Sequence, residues 1–353
     1  MSHHPHYDHE RTIEFEFVRA TENAALNCIP WLGRGQKELA DQAACDAMQG
    51  VLGLVNMRAE VVIGEGIKDN APGLFLGDRL GTWVEDAPRF DIAVDPIDGT
   101  TNMSKGLPNA ISVISAAEIS PDNGAHAMKH IPTFYAEKLA YGPMVVSAIE
   151  KGLVPEISFQ QSTSEILDTV ARALGKRVSE IVVTILDRPR HDQLISEVRQ
   201  CGAALQLITD GDITAAVAPS LPESTVDLYM GSGGAPEGVL TAAALKALGG
   251  EILLRMWPRD EEERADVLRS TTPEELQRVF RADDLVEGNS AIFCATGISD
   301  SPLLPGVKLI RNKAITHSIL MRAKSKTVRY IKAVHNLETK RIHLRSDDRD
   351  HNI

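Results

Sequence analysis

Long apolar runs and paired cysteines are both missing from this sequence. No window supplies the roughly 20 apolar residues that a membrane-spanning helix needs, and the first residues lack the charged and apolar segments of a signal peptide. We therefore expect a cytoplasmic protein. The four cysteines lie far apart and form no CxxC pair, which excludes a paired zinc or redox motif. We expect buried thiols, and a regulatory disulfide is left open.

Basic residues are also scarce. The chain of 353 residues carries 37 Lys and Arg against 49 Asp and Glu, a formal net charge of −12. This balance argues against general binding of nucleic acid or of an anionic membrane. It also disfavours an anionic substrate unless metal ions and a local group of basic side chains receive it. The hydrophobic content of 43% is typical of a folded globular protein with one large core or two fused cores.

Apolar periodicity predicts an α/β protein. A helical hairpin is predicted first, then three short strands; these elements cover residues 12–29, 36–56, 60–64, 92–94 and 110–119. The middle strand should end at Asp95, because Pro96 cannot continue a ladder. Between residues 161 and 255, strands and helices alternate, which predicts a layered α/β half.

Four regions are predicted along the chain. They are a disordered His-rich tail at 1–10, a metal-binding α+β half at 11–160, an α/β substrate-binding half at 161–340, and a tail at 341–353.

The segment Asp95-Pro-Ile-Asp-Gly-Thr100 is the strongest candidate for a metal site. Two carboxylates about 4 Å apart repel by roughly 4 kcal/mol at a surface-like dielectric, so a site that holds both needs a proton or a cation. Oxygen ligands favour a hard ion such as Mg²⁺ or Mn²⁺. Gly99 lets the backbone approach a ligand closely. Two Asp residues around a proline are, on their own, equally typical of a turn in which Asp caps the backbone.

Two other segments place carboxylates near this turn. Lys37 and Asp41 lie four residues apart on one helical face, where a solvent-exposed ion pair is the simpler interpretation. Glu65 and Asp69 follow the strand predicted at 60–64. In open α/β sheets, ligand sites gather at such strand ends.

Polar side chains also follow strands in the second half. Arg188, Arg190 and His191 precede a predicted helix, where guanidinium groups could grip a phosphate; we favour this anion site over a merely solvated face. Asp210 and Asp212 lie on a Gly turn. The glycine-rich loop 231–238 has proline in place of the third glycine of a dinucleotide fingerprint, which argues against nicotinamide binding.

These motifs resemble those of a known enzyme family. The Asp-Pro-Ile-Asp-Gly-Thr string resembles the metal-binding signature of the lithium-sensitive sugar and inositol phosphatases. The segments 61–72, 135–138 and 231–238 are similar to motifs of class II fructose-1,6-bisphosphatases, the bacterial type that in cyanobacteria also acts on sedoheptulose-1,7-bisphosphate. The resemblance runs from about residue 19 to 335. It implies the layered α/β/α/β sugar phosphatase fold, in two closely packed halves, and a homo-oligomer, either dimer or tetramer.

The resemblance also implies a set of site residues. One ion would be held by Asp41 and Glu65, and a second by Asp95, Asp98 and Glu237. Thr100, with Asp69, would orient or deprotonate the attacking water, and Lys37 would support the metal ligands. The residues implied to contact substrate are Asp98, Gly99, Thr100, Tyr135, Arg188, Arg190, His191, Asp210, Asp212 and Gly234. Without the motif, Tyr135 would equally well be a core aromatic residue. The family pattern has Glu at position 98, so Asp98 is a departure that bears on metal preference, affinity or rate.

The expected reaction is metal-dependent hydrolysis of the C1 phosphate of fructose-1,6-bisphosphate, with two or more Mg²⁺ or Mn²⁺ ions per site. Two alternatives stay open at this point. One is an inositol monophosphatase-like or nucleotide phosphatase, which shares the Asp-Pro-Ile-Asp-Gly-Thr string. The other is a non-catalytic sensor of metal and sugar phosphate. The motifs leave open the preferred bisphosphate and the pathway, gluconeogenesis or photosynthetic carbon fixation.

Overall fold

The computed structural model describes residues 8–64, 74–119 and 124–342. Within these ranges the chain forms eleven α-helices and fourteen β-strands. The helices are α1 Glu10–Cys28, α2 Lys37–Leu52, α3 Thr100–Lys105, α4 Pro143–Glu150, α5 Thr163–Leu174, α6 Asp192–Gln200, α7 Asp212–Val217, α8 Ala235–Leu248, α9 Glu261–Ser270, α10 Pro273–Gln277 and α11 Ala282–Leu285. The strands are β1 Arg58–Ile63, β2 Arg79–Leu80, β3 Arg89–Asp98, β4 Ile111–Glu118, β5 Tyr135–Tyr141, β6 Val182–Leu186, β7 Ala204–Ile208, β8 Leu228–Gly234, β9 Glu251–Trp257, β10 Val279–Phe280, β11 Ala291–Gly297, β12 Lys308–Ile310, β13 Lys313–Arg322 and β14 Thr327–Asn336.

The strands form two mixed sheets. The first sheet has the order β12-β13-β11-β4-β3-β1-β2, with β14 paired to β13, and the second has the order β10-β9-β5-β8-β6-β7. In the first sheet β1 and β3 are parallel, whereas β4 is antiparallel to both β3 and β11. In the second sheet β6 is parallel to β7 and β8, and β5 is antiparallel to β8 and β9.

Helices cover these sheets in layers. The hairpin of α1 and α2 packs on one face of the first sheet, α7 and α8 lie between the two sheets, and α4, α5 and α6 cover the outer face of the second. Helix α8 is rich in Ala and Leu around its whole circumference, because it is buried between the two sheets. This arrangement confirms the predicted layered α/β fold.

The predicted helices and strands are all present, with boundaries shifted by a few residues. The prediction that β3 ends at Asp95 is wrong, because the strand continues through Pro96 to Asp98. The pairing of β3 with β4 is irregular here: Asp95 pairs with Val113, and the next pair joins Asp98 to Ile111. Pro96 lies inside this irregularity, where the ladder requires no N–H from it.

The predicted division of the chain near residue 160 stays a prediction. The sheets are assembled from both sides of it: β5 belongs to the second sheet, and β11 to β14 belong to the first. Glu10, which the sequence assigned to the N-terminal tail, begins α1 and is buried. No helix of the described residues is long and apolar enough to span a membrane.

No disulfide joins the four cysteines in the part of the chain that the structure describes; Cys28, Cys45 and Cys294 are buried while Cys201 is partly exposed. Burial raises the pKa of Cys294 to about 12 and also raises the pKa of Cys28. A thiol with a raised pKa is a poor nucleophile at neutral pH.

A buried ionic group joins α1 to the first sheet. The guanidinium of Arg322 on β13 donates to Glu10 Oε2 from Nε at 3.0 Å and from Nη2 at 2.7 Å. Glu14 Oε2 lies 3.3 Å from the same guanidinium. All three side chains are at most 6% exposed. Removal of the arginine would take from buried Glu10 the cation it contacts, whereas Glu14 would keep Arg329 at 3.7 Å.

We expect R322M to lower the free energy of unfolding by about 3 kcal/mol, because a broken buried ion pair costs more than a lost surface contact. Denaturant titration of both proteins measures the difference. The control is R177M, since Arg177 forms an exposed pair with Glu180; it should leave stability unchanged. Equal stability of the two variants would contradict the prediction.

Candidate active site

The turn after β3 is shaped by a glycine. Gly99 has φ +92° and precedes α3, and a Cβ atom built on it would lie only 2.4 Å from the carbonyl oxygen of Asn109. An L-residue is therefore disfavoured here by both backbone strain and contact. On the same turn, the Ile97 N–H donates to Asp95 Oδ1 at 3.0 Å. The two predicted aspartates are thus held on either side of a tight bend.

Helix α2 approaches this turn through its first residues. The Thr100 hydroxyl lies 3.2 Å from Asp41 Oδ1 and 2.9 Å from the carbonyl oxygen of Ile97, so it can donate to either. Lys37 Nζ donates to the Thr101 hydroxyl at 2.9 Å. Lys37 and Asp41, for which a solvent-exposed ion pair was the simpler interpretation, therefore both contact residues of this turn. Sequence reasoning did not identify Thr101, the residue that Lys37 contacts.

The loop between β7 and α7 attaches to the same turn. Asp210 Oδ2 accepts from the Thr101 N–H at 3.0 Å, and the side-chain amides of Asn102 and Asn109 donate to the Asp210 carbonyl at 3.1 Å and 2.6 Å. Arg188 Nη2 lies 3.9 Å from Asp210 Oδ1. Two buried asparagines outside the quoted motifs therefore join the two sheets at the site.

Asp212 meets a buried lysine. Lys138, on β5, is 1% exposed, and its ammonium donates to Asp212 Oδ2 and to the Gly234 carbonyl at 2.9 Å. The Tyr229 hydroxyl donates to the same Asp212 oxygen at 3.3 Å. Lys138 was not predicted as a site residue. The sequence feature that could have identified it is its place between Ala136 and Ala140, two inward-facing positions of the same strand, because an unpaired charge is costly there.

Glu237 lies in the first turn of α8, folded over Gly234. A Cβ atom on Gly234 would lie 1.8 Å from Glu237 Oε2, so the glycine makes room for the carboxylate. That oxygen is buried and has no hydrogen-bond partner among the described residues. Desolvation, and next the charge of Asp212, raise the pKa of Glu237 to about 7, while nearby Lys138 opposes the shift.

Asp98 is the most strongly perturbed carboxyl of the cluster. It is 5% exposed, and its Oδ2 also lacks a hydrogen-bond partner among the described residues. Desolvation raises its pKa well above the usual range, and the negative charges of Asp95, Asp212, Glu237 and Asp210 raise it further. Buried, unbonded carboxylate oxygens within one cluster are the donors that a hard divalent cation requires.

The carboxylates face one another without forming a finished coordination shell. Within residues 8–64, 74–119 and 124–342, no three His, Cys, Asp or Glu side chains are grouped closely enough to hold an ion as they stand. Two predicted members, Glu65 and Asp69, lie outside the described residues. The residues present fit a divalent cation by their chemistry and burial.

A second group lies at the adjoining ends of β5 and β8. Arg190 has its guanidinium carbon 4.7 Å from the ring centroid of Tyr135, and it donates to Ser232 Oγ at 2.9 Å and to the Ser232 carbonyl at 2.8 Å. Tyr135 pairs with Gly234 in the sheet, which connects this group to the carboxylate cluster. The arginine is therefore fixed before any ligand arrives.

His191 is part of the support for that arginine. Its Nε2 accepts from the Ser232 N–H at 2.8 Å, and its Nδ1 therefore carries the proton and donates to the Leu186 carbonyl at 2.7 Å. Burial lowers the pKa of His191. Because both ring nitrogens are used within the protein, its predicted contact with a phosphate is less direct than that of the arginines.

The predicted residues that the structure describes thus fall into two neighbouring groups. The first, around the turn after β3, contains Lys37, Asp41, Asp95, Asp98, Gly99, Thr100, Asp210, Asp212, Gly234 and Glu237, with Arg188 beside Asp210. The second contains Tyr135, Arg190 and His191. An acidic, partly desolvated cluster beside a fixed arginine suits a phosphate ester whose reacting group is received by metal ions.

Comparison with known proteins adds an independent finding. The model of a family described as bacterial fructose-1,6-bisphosphatase, glpX-encoded, matches residues 11–335. The chain is 40% identical over 339 residues to a fructose-1,6-bisphosphatase class 2 of Haemophilus influenzae, covering 93% of this chain and 97% of that protein. It is also 40% identical over 341 residues to a fructose-1,6-bisphosphatase 1 class 2 of Escherichia coli K12, covering 94% and 97%. The matched region contains every predicted site residue.

Substitution of Gly99 tests the turn. We expect G99A to reduce stability by about 2–4 kcal/mol, because left-handed strain adds to a steric overlap with Asn109. The matched control is G175A, since Gly175 has φ +66° and nothing lies within 4 Å of the added Cβ. That variant should lose only about 1 kcal/mol from strain. Equal losses in urea denaturation would show that close approach at Gly99 is unimportant.

The raised pKa of Glu237 predicts a pH dependence of stability for metal-free protein. A carboxyl with a higher pKa in the folded state binds its proton more tightly when folded, so stability falls as pH rises from about 4.5, its usual pKa, to about 7. In chelator, the free energy of unfolding of wild type should therefore fall by up to about 3 kcal/mol more than that of E237Q across this pH range.

Denaturant titrations from pH 4.5 to 8 measure this difference. E262Q, on the exposed first turn of α9, serves as the control and should follow wild type. Parallel curves for wild type and E237Q would show that the carboxyl of Glu237 titrates normally.

Proposed function

The chain belongs to the class II fructose-1,6-bisphosphatase family and hydrolyses fructose-1,6-bisphosphate, and we propose that the reaction occurs at the turn after β3, with cleavage of the C1 phosphate. The observation that carries the proposal is the buried Oδ2 of Asp98, which has no hydrogen-bond partner among the described residues and lies near four other carboxylates. Water adds to phosphorus, the bond from phosphorus to the C1 oxygen breaks, and fructose 6-phosphate and inorganic phosphate leave.

The enzyme is metal-dependent, and the ligand set is part of the proposal. Asp95, Asp98 and Glu237 would hold one Mg²⁺ or Mn²⁺ ion, and Asp41 with Glu65 a second. Ions held by these residues would supply the charge that polarises a phosphoryl oxygen, lowers the pKa of a bound water and stabilises a leaving alkoxide. The raised pKa values of Asp98 and Glu237 support this assignment, because a cation would remove the repulsion that produces them.

Thr100 is proposed to orient the attacking water. Its hydroxyl donates its proton to Asp41 or to the Ile97 carbonyl, which leaves an oxygen lone pair able to accept a hydrogen bond from water. Asp69 is the proposed proton acceptor. Among the described residues, Lys37 bonds to the Thr101 hydroxyl, which suits a residue that positions the start of α3.

The remaining residues are proposed to bind the part of the substrate that does not react. Asp210 and Asp212 would accept hydrogen bonds from sugar hydroxyls, beside Gly234 at the start of α8. Arg188 and Arg190 would hold the uncleaved phosphate, with Tyr135 beneath the second guanidinium. Because the Tyr135 ring already holds the Arg190 guanidinium in place, this side chain loses less conformational entropy when it binds the phosphate.

Several finer points remain proposals. Activity on sedoheptulose-1,7-bisphosphate, the identity and number of the metal ions, and a dimeric or tetrameric assembly all follow from the resemblance. The cytoplasmic location and the pathway, gluconeogenesis or the Calvin cycle, stay predictions. The comparisons favour the bisphosphatase over the inositol phosphatase, nucleotide phosphatase and sensor alternatives, since the named relatives are fructose-1,6-bisphosphatases.

Phosphate release from a substrate panel tests the proposal. With Mg²⁺ or Mn²⁺, we expect phosphate release from fructose-1,6-bisphosphate, and release from sedoheptulose-1,7-bisphosphate at an equal or lower rate. With chelator we expect no release from either. Fructose-1-phosphate and inositol-1-phosphate should react poorly, because they lack the second phosphate. D98N should lower kcat by about 100-fold or more, because a displaced metal ligand misplaces the reacting groups.

The control for D98N is D168N, at an exposed ion pair on α5, which should match wild type. Near wild-type turnover by a folded D98N would refute the metal assignment. Release mainly from a monophosphate would refute the proposed role of the arginines.

A further inference from the structure

The acidic cluster contains a buried cation to which the proposed mechanism gives no role. Lys138 lies in the middle of β5, and its inward-facing neighbours Ala136 and Ala140 belong to the core between the sheets. Its ammonium is bonded at two points: Asp212 Oδ2 on α7 and the Gly234 carbonyl just before α8. One side chain thus joins three elements that meet at the site.

The space around this ion pair is kept open by glycines. A Cβ atom on Gly233 would lie 1.9 Å from Asp212 Oδ2 and 3.1 Å from Lys138 Nζ. A Cβ atom on Gly238 would lie 3.4 Å from Lys138 Cδ. The pair and the glycine-rich loop therefore occupy complementary volumes, so a shift of the lysine would be transmitted to both the Asp212 carboxylate and the start of α8.

We propose that Lys138 is a positioning residue for the sugar: it fixes the Asp212 carboxylate and the Gly234 backbone so that both meet the substrate in one orientation. The inference rests on the proposed contact of Asp212 with sugar hydroxyls. Lys138 and Tyr229 both bond to Oδ2, which sets the direction of the other carboxylate oxygen. The positive charge also offsets repulsion between Asp212 and Glu237, which would otherwise drive the carboxylates apart.

The chain offers a matched control in Lys246 on α8. It is also buried, and its ammonium likewise bonds to a carboxylate, Asp283, and to a backbone carbonyl, Val286 at 2.8 Å. Those partners are not site residues. Asp283 is exposed, whereas Asp212 is buried. K138M and K246M each remove a buried ammonium that is bonded to one carboxylate and one carbonyl, and only the first does so beside Asp212.

The experiment compares ligand binding and turnover for these variants in Mg²⁺ buffer. K138M should raise the Kd for fructose 6-phosphate and the KM for fructose-1,6-bisphosphate at least 10-fold. The Kd for inorganic phosphate, which has no sugar, should stay within about twofold of wild type. K246M should leave all three constants unchanged. Calorimetry gives the Kd values, and a phosphate-release assay gives KM and kcat.

A second variant keeps the test decisive if K138M folds poorly. K138R keeps a positive charge beside Asp212, so the protein should fold, while the larger planar guanidinium changes the direction of the Asp212 carboxylate and should still weaken binding of fructose 6-phosphate. The proposal is overturned if K138M and K246M bind fructose 6-phosphate with equal Kd. It is also overturned if K138M raises the Kd for inorganic phosphate as much as the Kd for fructose 6-phosphate. It is also overturned if wild-type protein hydrolyses no sugar bisphosphate, a result that would overturn the proposed function as well.

Discussion

Repulsion among carboxylates in a space with little water is the constraint on which the site depends. Asp98 is buried, and four further carboxylates raise its pKa. Such a cluster is stable only if protons or cations offset the negative charge. The protein supplies part of this offset through Lys138, which is bonded to Asp212 at one side of the cluster. The uncompensated remainder would favour binding of the proposed metal ions, so the same repulsion that costs stability would contribute to their affinity.

The fold brings these charges together where the ends of inner strands from the two sheets meet. The turn after β3 belongs to the first sheet, whereas β5 and β8 belong to the second. Hydrogen bonds from Asn102 and Asn109 to the Asp210 carbonyl connect the two sides. Because α8 packs against both sheets, its first turn carries Glu237 into the same space. These hydrogen bonds and the position of α8 therefore place carboxylates from both sheets around one space.

Sequence reasoning was most successful where chemistry and local structure coincide. The Asp-Pro-Ile-Asp-Gly-Thr turn was recognisable because glycine, proline and carboxylates in that order have few structural uses. Lys138 and Asn109 were missed because their roles arise only from contacts between distant segments; Asn109 bonds to residues more than 100 positions away. The end of β3 was misplaced for a related reason: whether a proline ends a strand depends on the pairing of the neighbouring strand, which no local pattern contains.

The irregular pairing at Pro96 also bears on Asp98, the position at which the resemblance implies Glu as the usual family residue. A carboxylate shorter by one methylene must reach its ligand from a backbone placed closer by about an ångström. The pairing of β3 with β4 skips two residues between Asp95 and Asp98, so the backbone there is not held to a regular ladder. Beyond it, a Cβ atom on Gly99 would overlap the Asn109 carbonyl, so the backbone there is closely packed. Asp98 therefore lies between an irregular stretch of the ladder and a closely packed glycine, and the reach of its shorter side chain depends on both.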